Sequence, residues 1–429
     1  MARKPIPQMD DVFAPATPYK DRLTVKNSRG AQVMNEYGLE SSRAHALLAA
    51  ARDMAPALIS RSAQCKKEGN LPQETIADFH AAGFFKILQP EQWGGYAMDP
   101  QVFYAVGLEI AKHCMSSAWV LGVVAVHNWQ LAVFDDMAAQ DVWADDPTVL
   151  LSSSYAPVGK VKVVEGGFRL SGRWSFSSGS AHCKWAFLGA VVPMPDAPFD
   201  MANYRTFLVP ISDYEMVDNW DVVGLDGTGS NDIVVEDVFV PEHRTHKSMD
   251  GFLCDNPGNV VNTAPLYRLP FMQVFVRAVC TATLGALEGS LEAFIEVAKT
   301  RRVGPNKMSD DPGARQLAAH AKASIEEMKL TLYRNFDAMM DYTREGEPIP
   351  IDERVRYRYD SAVVADRCAQ LSARMLKASG SGGIREGSVL LAKHLDILAS
   401  QAHVANVVPP FANNLGGVLF GVDNADFAV

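Results

Sequence analysis

Residues 158–180 read VGKVKVVEGGFRLSGRWSFSSGS. Val, Phe, Leu and Trp alternate with polar residues, and Glu165-Gly166-Gly167 and Ser171-Gly172 interrupt the alternation. That spacing predicts strand, turn, strand, turn, strand, with Trp174 and Phe176 on a half-buried face. Three further apolar runs of strand length follow: WAFLGAVVPM at 185–194, YRTFLVPI at 204–211 and NDIVVEDVFVP at 231–241. Short strands with turn residues between them predict a compact β-barrel or sandwich domain over residues 148–250.

The flanks on both sides are helical. Before the strands, Leu47, Leu48, Ala51, Met54, Leu58 and Ile59 recur at three- and four-residue steps. Pro56 is expected to kink this helix, Gly69-Asn70 to stop it, and Pro72 and Gly83 to start and end the next. Two apolar helices are predicted over about 99–114 and 116–134, giving a helical domain over 38–147. After about residue 270 the helical period returns, with one stripe at Leu284, Leu287, Leu291 and Phe294. A second runs through Leu317, Ala321, Ile325, Met328, Leu332, Phe336 and Met339, and a third through Val364, Cys368, Leu371, Met375 and Ala378. A fourth helix is predicted over 387–408. These form a carboxy-terminal bundle over 251–429. Residues 1–37, rich in Pro, Asp and Lys, show no period and predict an arm. The fold class is therefore α+β: helices, a β domain, then a four-helix bundle.

The 429 residues are 48% hydrophobic and 21% charged, which is ordinary globular composition. A net charge of −10 without a Lys/Arg run argues against nucleic acid, and no apolar run approaches a membrane span. The amino terminus lacks the apolar stretch of a secretory signal, and six scattered cysteines without a CxxC pair suit reduced thiols of a cytoplasmic protein rather than zinc ligands.

Five segments can carry chemistry. Ser152-Ser153-Ser154 enter a strand, where hydroxyls can meet a ligand's polar edge or simply satisfy a turn. Ser177, Ser178 and Gly179 offer open backbone and small hydroxyls, which suit a planar cofactor or a plain hairpin. GLDGTGS at 224–230 lacks the Lys of a phosphate loop and precedes a strand, so it is neither a Walker loop nor a dinucleotide fingerprint. His127 and His403 are lone histidines on apolar helices, a setting more often that of a satisfied core histidine than of a catalytic one. His182 and His394 read as surface.

The order of these segments, with WGGY at 93–96, SSAW at 116–119, HNWQ at 127–130, SSSYAPVGK at 152–160, WSFSSG at 174–179, GLDGTGSND at 224–232 and VFVPEHR at 238–244, resembles the oxygenase components of two-component flavin-dependent monooxygenases. The resemblance covers about residues 40 to 425. It implies the acyl-CoA dehydrogenase fold, homotetramers (dimers of dimers), and reduced FMN or FAD supplied by a separate NADH-dependent flavin reductase. It also implies dioxygen as co-substrate and a flavin hydroperoxide that hydroxylates a phenolic or other aromatic compound ortho to its hydroxyl, a steroid-derived phenol being the favoured case. By the same resemblance His127 deprotonates the phenol, Ser153 holds the same oxygen, Ser178 lies beside the flavin's reactive ring nitrogen, and His403 stabilises the hydroperoxide. Trp119, Ser177 and Arg268 fall beside the isoalloxazine. Ser379, Gly380 and Ser381 fall where a neighbouring subunit's loop approaches the flavin tail. Three positions depart from the family pattern. No Glu occurs between Asp396 and Asn413, where acyl-CoA dehydrogenases carry a base. Leu395-Asp396 stands in place of Arg-Asp, and Asp226 stands where relatives often have a basic residue. The alternatives are a flavin dehydrogenase or oxidase, a monooxygenase attacking nitrogen or sulfur, and a non-catalytic flavin-binding protein.

Overall fold

The computed structural model describes residues 41–194, 200–426 and 429; the predicted arm at 1–37 lies outside them. The helices open with α1 (Ser42–Asp53) and α2 (Ala55–Glu68), which are separate elements. The kink expected at Pro56 is a complete break, because Pro56 occupies the first turn of α2, where its missing N–H costs nothing. Next come α3 (Gln73–Ala82), α4 (Pro100–His113), α5 (Met115–Leu131) and α6 (Asp136–Trp143). All seventeen residues of α5 are buried. Its mean composition is apolar with no polar face, which only a helix enclosed on every side tolerates.

The β region is one seven-stranded mixed sheet. Its strands are β1 (Leu151–Val164), β2 (Gly167–Ser177), β3 (Trp185–Val191), β4 (Tyr204–Pro210), β5 (Glu215–Val217), β6 (Asn231–Pro241) and β7 (Thr245–Lys247). The order is β5-β6-β2-β1-β3-β4-β7, with only the β1–β3 pair parallel. The sheet's two halves share one core of Phe168, Leu170, Trp174, Leu188, Phe207 and Ile233, so the sheet folds over on itself. Trp174 locks that closure by donating its Nε1–H to the carbonyl of Gly189 at 2.8 Å.

Two expectations for 158–180 are corrected. Ser171-Gly172 is not a turn: β2 runs through it, absorbing the extra residue as a register shift against β6 between Leu170 and Gly172. Phe176 does not share the buried face of Trp174. A second shift lies between Trp174 and Ser177, and Phe176 takes a left-handed φ of 67° that turns its ring outward, 70% exposed.

Helices resume with α7 (Ser248–Leu253) and the long α8 (Phe271–Thr300), α9 (Pro312–Glu345) and α10 (Ile351–Ala378), followed by α11 (Val389–Gln401) and α12 (Val408–Leu419). The helix expected over 387–408 is shorter: α11 ends at Gln401, and α12 starts only at Val408. His403 caps the intervening turn by accepting the Ala405 N–H at 3.1 Å. One continuous core joins α4, α5 and α8, so the amino-terminal helices and the bundle pack together.

The 224–230 turn is wedged between α2 and α11. A Cβ on Gly227 would lie 2.0 Å from Cys65 Sγ, and one on Gly224 would lie 2.3 Å from the Leu395 carbonyl. Gly224 also has φ +81°. Gly224→Ala therefore adds a left-handed strain to a backbone clash and is expected to cost at least about 2 kcal/mol. Urea unfolding of the variant checks this, and an unchanged midpoint would contradict the packing described.

Candidate active site

The site is built around α5. His127 is fully buried, and its Nδ1 lies 2.8 Å from the Leu151 carbonyl at the start of β1. A carbonyl only accepts, so Nδ1 carries the proton and Nε2 presents a bare lone pair. That Nε2 is buried and has no partner among the described residues. Burial pushes the imidazole pKa down to about 4, the bond to Leu151 opposing, so the ring is neutral at pH 7.

His403 has the opposite tautomer. Its Nδ1 accepts from Ala405 N–H, so in the neutral ring the proton sits on Nε2. Burial, aided by the Arg358 charge, again lowers its pKa to about 4. The two imidazoles bracket Phe275 of α8, whose ring centroid lies 6.4 Å from His127 and 6.3 Å from His403. Trp119, about two turns before His127 on α5, meets His403 edge-on at 5.5 Å. One side of this wall thus offers an acceptor and the other a donor.

Trp119 also donates its Nε1–H to Ser178 Oγ at 3.3 Å, which ties the β2 end to the histidine pair. Ser153 falls on the His127 side of β1. It is paired in register with Phe187, whose ring is 5.5 Å from His127, and it lies two residues before Tyr155 on the same face of the strand. The strand's period of two turns Ser152 and Ser154 to the opposite face. His127, Ser153, Trp119, Ser178 and His403 are therefore brought together.

Ser177 is fully buried and its Oγ has no partner among the described residues. Beside it stands the exposed Phe176, whose ring meets Trp220 edge-on at 6.0 Å. An unsatisfied hydroxyl, a half-open hydroxyl at Ser178 and an outward aromatic ring fit a planar heteroaromatic group with a polar edge. Arg268 is exposed, in a turn that Trp129 anchors to α5 by donating to the Leu266 carbonyl at 2.8 Å. Ser379 is buried and donates to the Met375 carbonyl at 2.9 Å, Gly380 abuts the Arg301 guanidinium, and Ser381 is exposed. Arg301 caps the far end of α8, about 39 Å from Phe275 at 1.5 Å per residue. Within one chain, Ser379–Ser381 are thus remote from the histidine pair. His182 and His394, expected at the surface, are half-buried and hydrogen-bonded to Asn70 and Ser372.

Sequence reasoning missed Phe275, Tyr155, Phe176 and Asp396. Tyr155 donates to Gln130 Oε1 and packs against Phe275 at 5.0 Å. Asp396 accepts the Leu225 N–H at 2.7 Å, so the acidic residue of the departing Leu395-Asp396 pair pins the 224–230 turn. Asp226 in that turn pairs with Lys66 of α2 at 3.4 Å. Only Asp396 left a signal, as the one carboxylate on its helix.

Residues 41–140 match the family described as acyl-CoA dehydrogenase, N-terminal domain, and residues 278–407 its C-terminal domain. The flavin-dependent monooxygenase oxygenase subunit HsaA of Rhodococcus jostii (strain RHA1) is 37% identical over 356 residues, 82% of this chain and 92% of that protein. The chain belongs to this family of monooxygenase oxygenase subunits. The crystal structure of 3-HSA hydroxylase from Rhodococcus sp. RHA1 superposes with a TM-score of 0.86 at 35% identity, covering 90% of this chain and 99% of that one. XiaF from a Streptomyces species, in complex with FADH2 and glycerol, superposes with a TM-score of 0.82 at 25% identity, covering 90% and 97%. Oxygenase subunits of this family thus share the architecture that the sequence led us to expect.

His127, His246 and His403 are all held near pKa 4, whereas an unfolded histidine titrates near 6.5. Unfolding therefore takes up protons between those values, and stability falls as pH drops through that window. Asp396, raised to about 7 mainly by burial, keeps its proton when folded and acts in the opposite direction. Burial also lowers His80, His113, His182 and His394 and raises Asp250, Glu292 and Asp337, so with seven imidazoles against four carboxyls the urea midpoint is expected to be lower at pH 5 than at pH 7. Equal midpoints would mean that the imidazoles are charged in the folded protein.

Proposed function

We propose that this chain is the oxygenase component of a two-component flavin-dependent monooxygenase that hydroxylates a phenol ortho to its hydroxyl. The observation that carries the reading is the bare Nε2 lone pair of His127, buried in an aromatic wall and without a partner among the described residues. A buried acceptor without a donor costs free energy unless a ligand's O–H completes it. Likeness to a 3-HSA hydroxylase supports a phenolic substrate, and we favour a steroid-derived one.

Reduced flavin, delivered by a separate NADH-dependent reductase, supplies the electrons that activate dioxygen. Phe176, Ser177, Ser178 and Trp119 would hold its ring, and Arg268 would supply a positive charge at its edge. The FADH2 held by the Streptomyces relative favours FAD, with FMN as the alternative.

The chain's own groups do the rest. His127 accepts a hydrogen bond from the substrate hydroxyl, and Ser153 holds the same oxygen. A phenol has a pKa near 10 and His127 one of about 4, so outright proton transfer before reaction is uphill by about six units. The proton moves as the ring carbon gains oxygen, when the phenol oxygen becomes a strongly acidic protonated carbonyl. His403 offers its Nε2–H to the oxygen being transferred. The aromatic wall keeps water from both. The dehydrogenase reading is not favoured, because His403 stands in the region where a carboxylate base would be required.

Ser379–Ser381 contribute to a flavin only from another subunit, given their distance along α8. Val404, Leu419, Phe420 and Val422 stand exposed on the carboxy-terminal segment, with Phe420 at 90%. These features support a homotetramer, a dimer of dimers. The six free thiols suit a reducing cytoplasm.

His127→Ala is expected to cut phenol hydroxylation by about a hundredfold while dioxygen consumption continues as released hydrogen peroxide. Product and peroxide are measured together with a generic NADH-dependent flavin reductase, and unaltered coupling would remove His127 from the chemistry. Light scattering is expected to report four chains per particle; a stable monomer would rule out a shared site.

A further inference from the structure

Ser178 is the exposed end of a buried chain of hydroxyls whose direction is fixed at the other end. Thr228 Oγ1 lies 2.9 Å from the Leu225 carbonyl, the nearest of three donors around that oxygen. A carbonyl cannot donate, so the single hydroxyl proton of Thr228 is committed there. Thr228 Oγ1 also lies 2.7 Å from Ser230 Oγ, a contact in which Ser230 must then be the donor. Ser230 Oγ lies 2.7 Å from Ser178 Oγ, and because the Ser230 proton is already used, Ser178 must donate to it. Ser178 in turn accepts the Trp119 Nε1–H. One lone pair of Ser178 is left, and no proton.

The turn that starts this chain is itself clamped. Leu225, a non-glycine residue with φ 54°, has its N–H held by Asp396 and its carbonyl held against Thr228 and Trp220. Thr228 and Ser230 are buried at 1% and 4% exposure, so no solvent re-orients the two inner hydroxyls. Only Ser178 is partly open.

We infer that this Leu225–Thr228–Ser230 relay fixes Ser178 as a hydrogen-bond acceptor, so that Thr228 and Ser230, acting through Ser178, set how strongly the site distinguishes reduced from oxidised flavin. The inference rests on the proposal above that Ser178 lies beside the reactive ring nitrogen. In reduced flavin that nitrogen carries a hydrogen and donates; in oxidised flavin it is a bare acceptor. Oxidised flavin would set lone pair against lone pair, or strip the Ser178 proton from Ser230 and leave a buried hydroxyl unpaired. Thr228 and Ser230 are positioning residues here: they act through Ser178.

The test is binding, not turnover. Dissociation constants for oxidised FAD and FMN, and for the same flavins reduced anaerobically with dithionite, are measured on the wild type, Thr228→Val, Ser230→Ala, Thr228→Ser and Ser178→Ala. The midpoint potential of the bound flavin is followed by spectroelectrochemistry. The wild type is expected to bind the reduced form more tightly. Thr228→Val and Ser230→Ala free the Ser178 proton, and are expected to lower the oxidised-to-reduced Kd ratio about tenfold and to lower the potential of the bound flavin correspondingly. Thr228→Ser, which keeps the hydroxyl, is expected to retain the wild-type ratio. If Ser178→Ala leaves every affinity unchanged, Ser178 is not beside the flavin and the placement itself fails. If Ser178→Ala shifts the ratio but Thr228→Val and Ser230→Ala do not, the placement stands and the relay is wrong. Tighter binding of oxidised flavin by the wild type would also overturn the relay.

Discussion

A helix with no face toward solvent governs this molecule. Residues 115–131 are enclosed by the β-sheet on one side and by α4 and α8 on the others, so every polar group on α5 needs a partner inside the protein. Asn128 donates to the Phe85 carbonyl and Trp129 to the Leu266 carbonyl. Trp119 finds Ser178, and His127 finds Leu151 through one nitrogen only. Asn128 Oδ1 is also buried without a partner among the described residues, so what marks His127 as a working position is that its unpartnered nitrogen lies within an aromatic wall. With no charged partner, burial sets its pKa.

The same enclosure explains the pair of opposed tautomers. His127 is fixed by a strand carbonyl and His403 by a backbone N–H at a helix break. Neither assignment depends on a carboxylate partner, so both rings stay neutral across the physiological range and keep their directions. A donor and an acceptor on either side of Phe275 suit chemistry in which oxygen is delivered to a phenol.

The turn at 224–230 links this wall to the rest of the chain. It touches α2 through Cys65 and α11 through Leu395 and Asp396, and it feeds the hydroxyl relay that ends at Ser178. Its acidic Asp226, a departure from the family pattern, is spent on Lys66 at the α2 surface. The other departure, Leu395-Asp396, keeps the carboxylate that caps Leu225. Strain at Gly224 and Leu225 is thus held by packing from three separate segments.

Hydrophobic period alone determined the layout of helices, strands and bundle, because burial of one face repeats every 3.6 or 2 residues whatever the partner is. The candidate hydroxyls and histidines came from the segments they stand in, and Trp119 and the residue roles only from the resemblance of those motifs to the family. Tertiary structure decided the rest. The bulges that carry β2 through Ser171-Gly172 and turn Phe176 outward depend on pairing with β6, which lies some sixty residues downstream. The break that makes His403 a cap falls inside an apolar run with no Gly or Pro before it, so local propensity predicts a continuous helix. Phe275 and Tyr155 stand in apolar runs like ordinary core residues, and only three-dimensional packing set Phe275 between the two imidazoles with Tyr155 against it and His127. Hydrogen-bond direction, from the tautomers of His127 and His403 to the polarity of Ser178, is set by which backbone carbonyl or N–H faces each side chain, and no one-dimensional pattern encodes that.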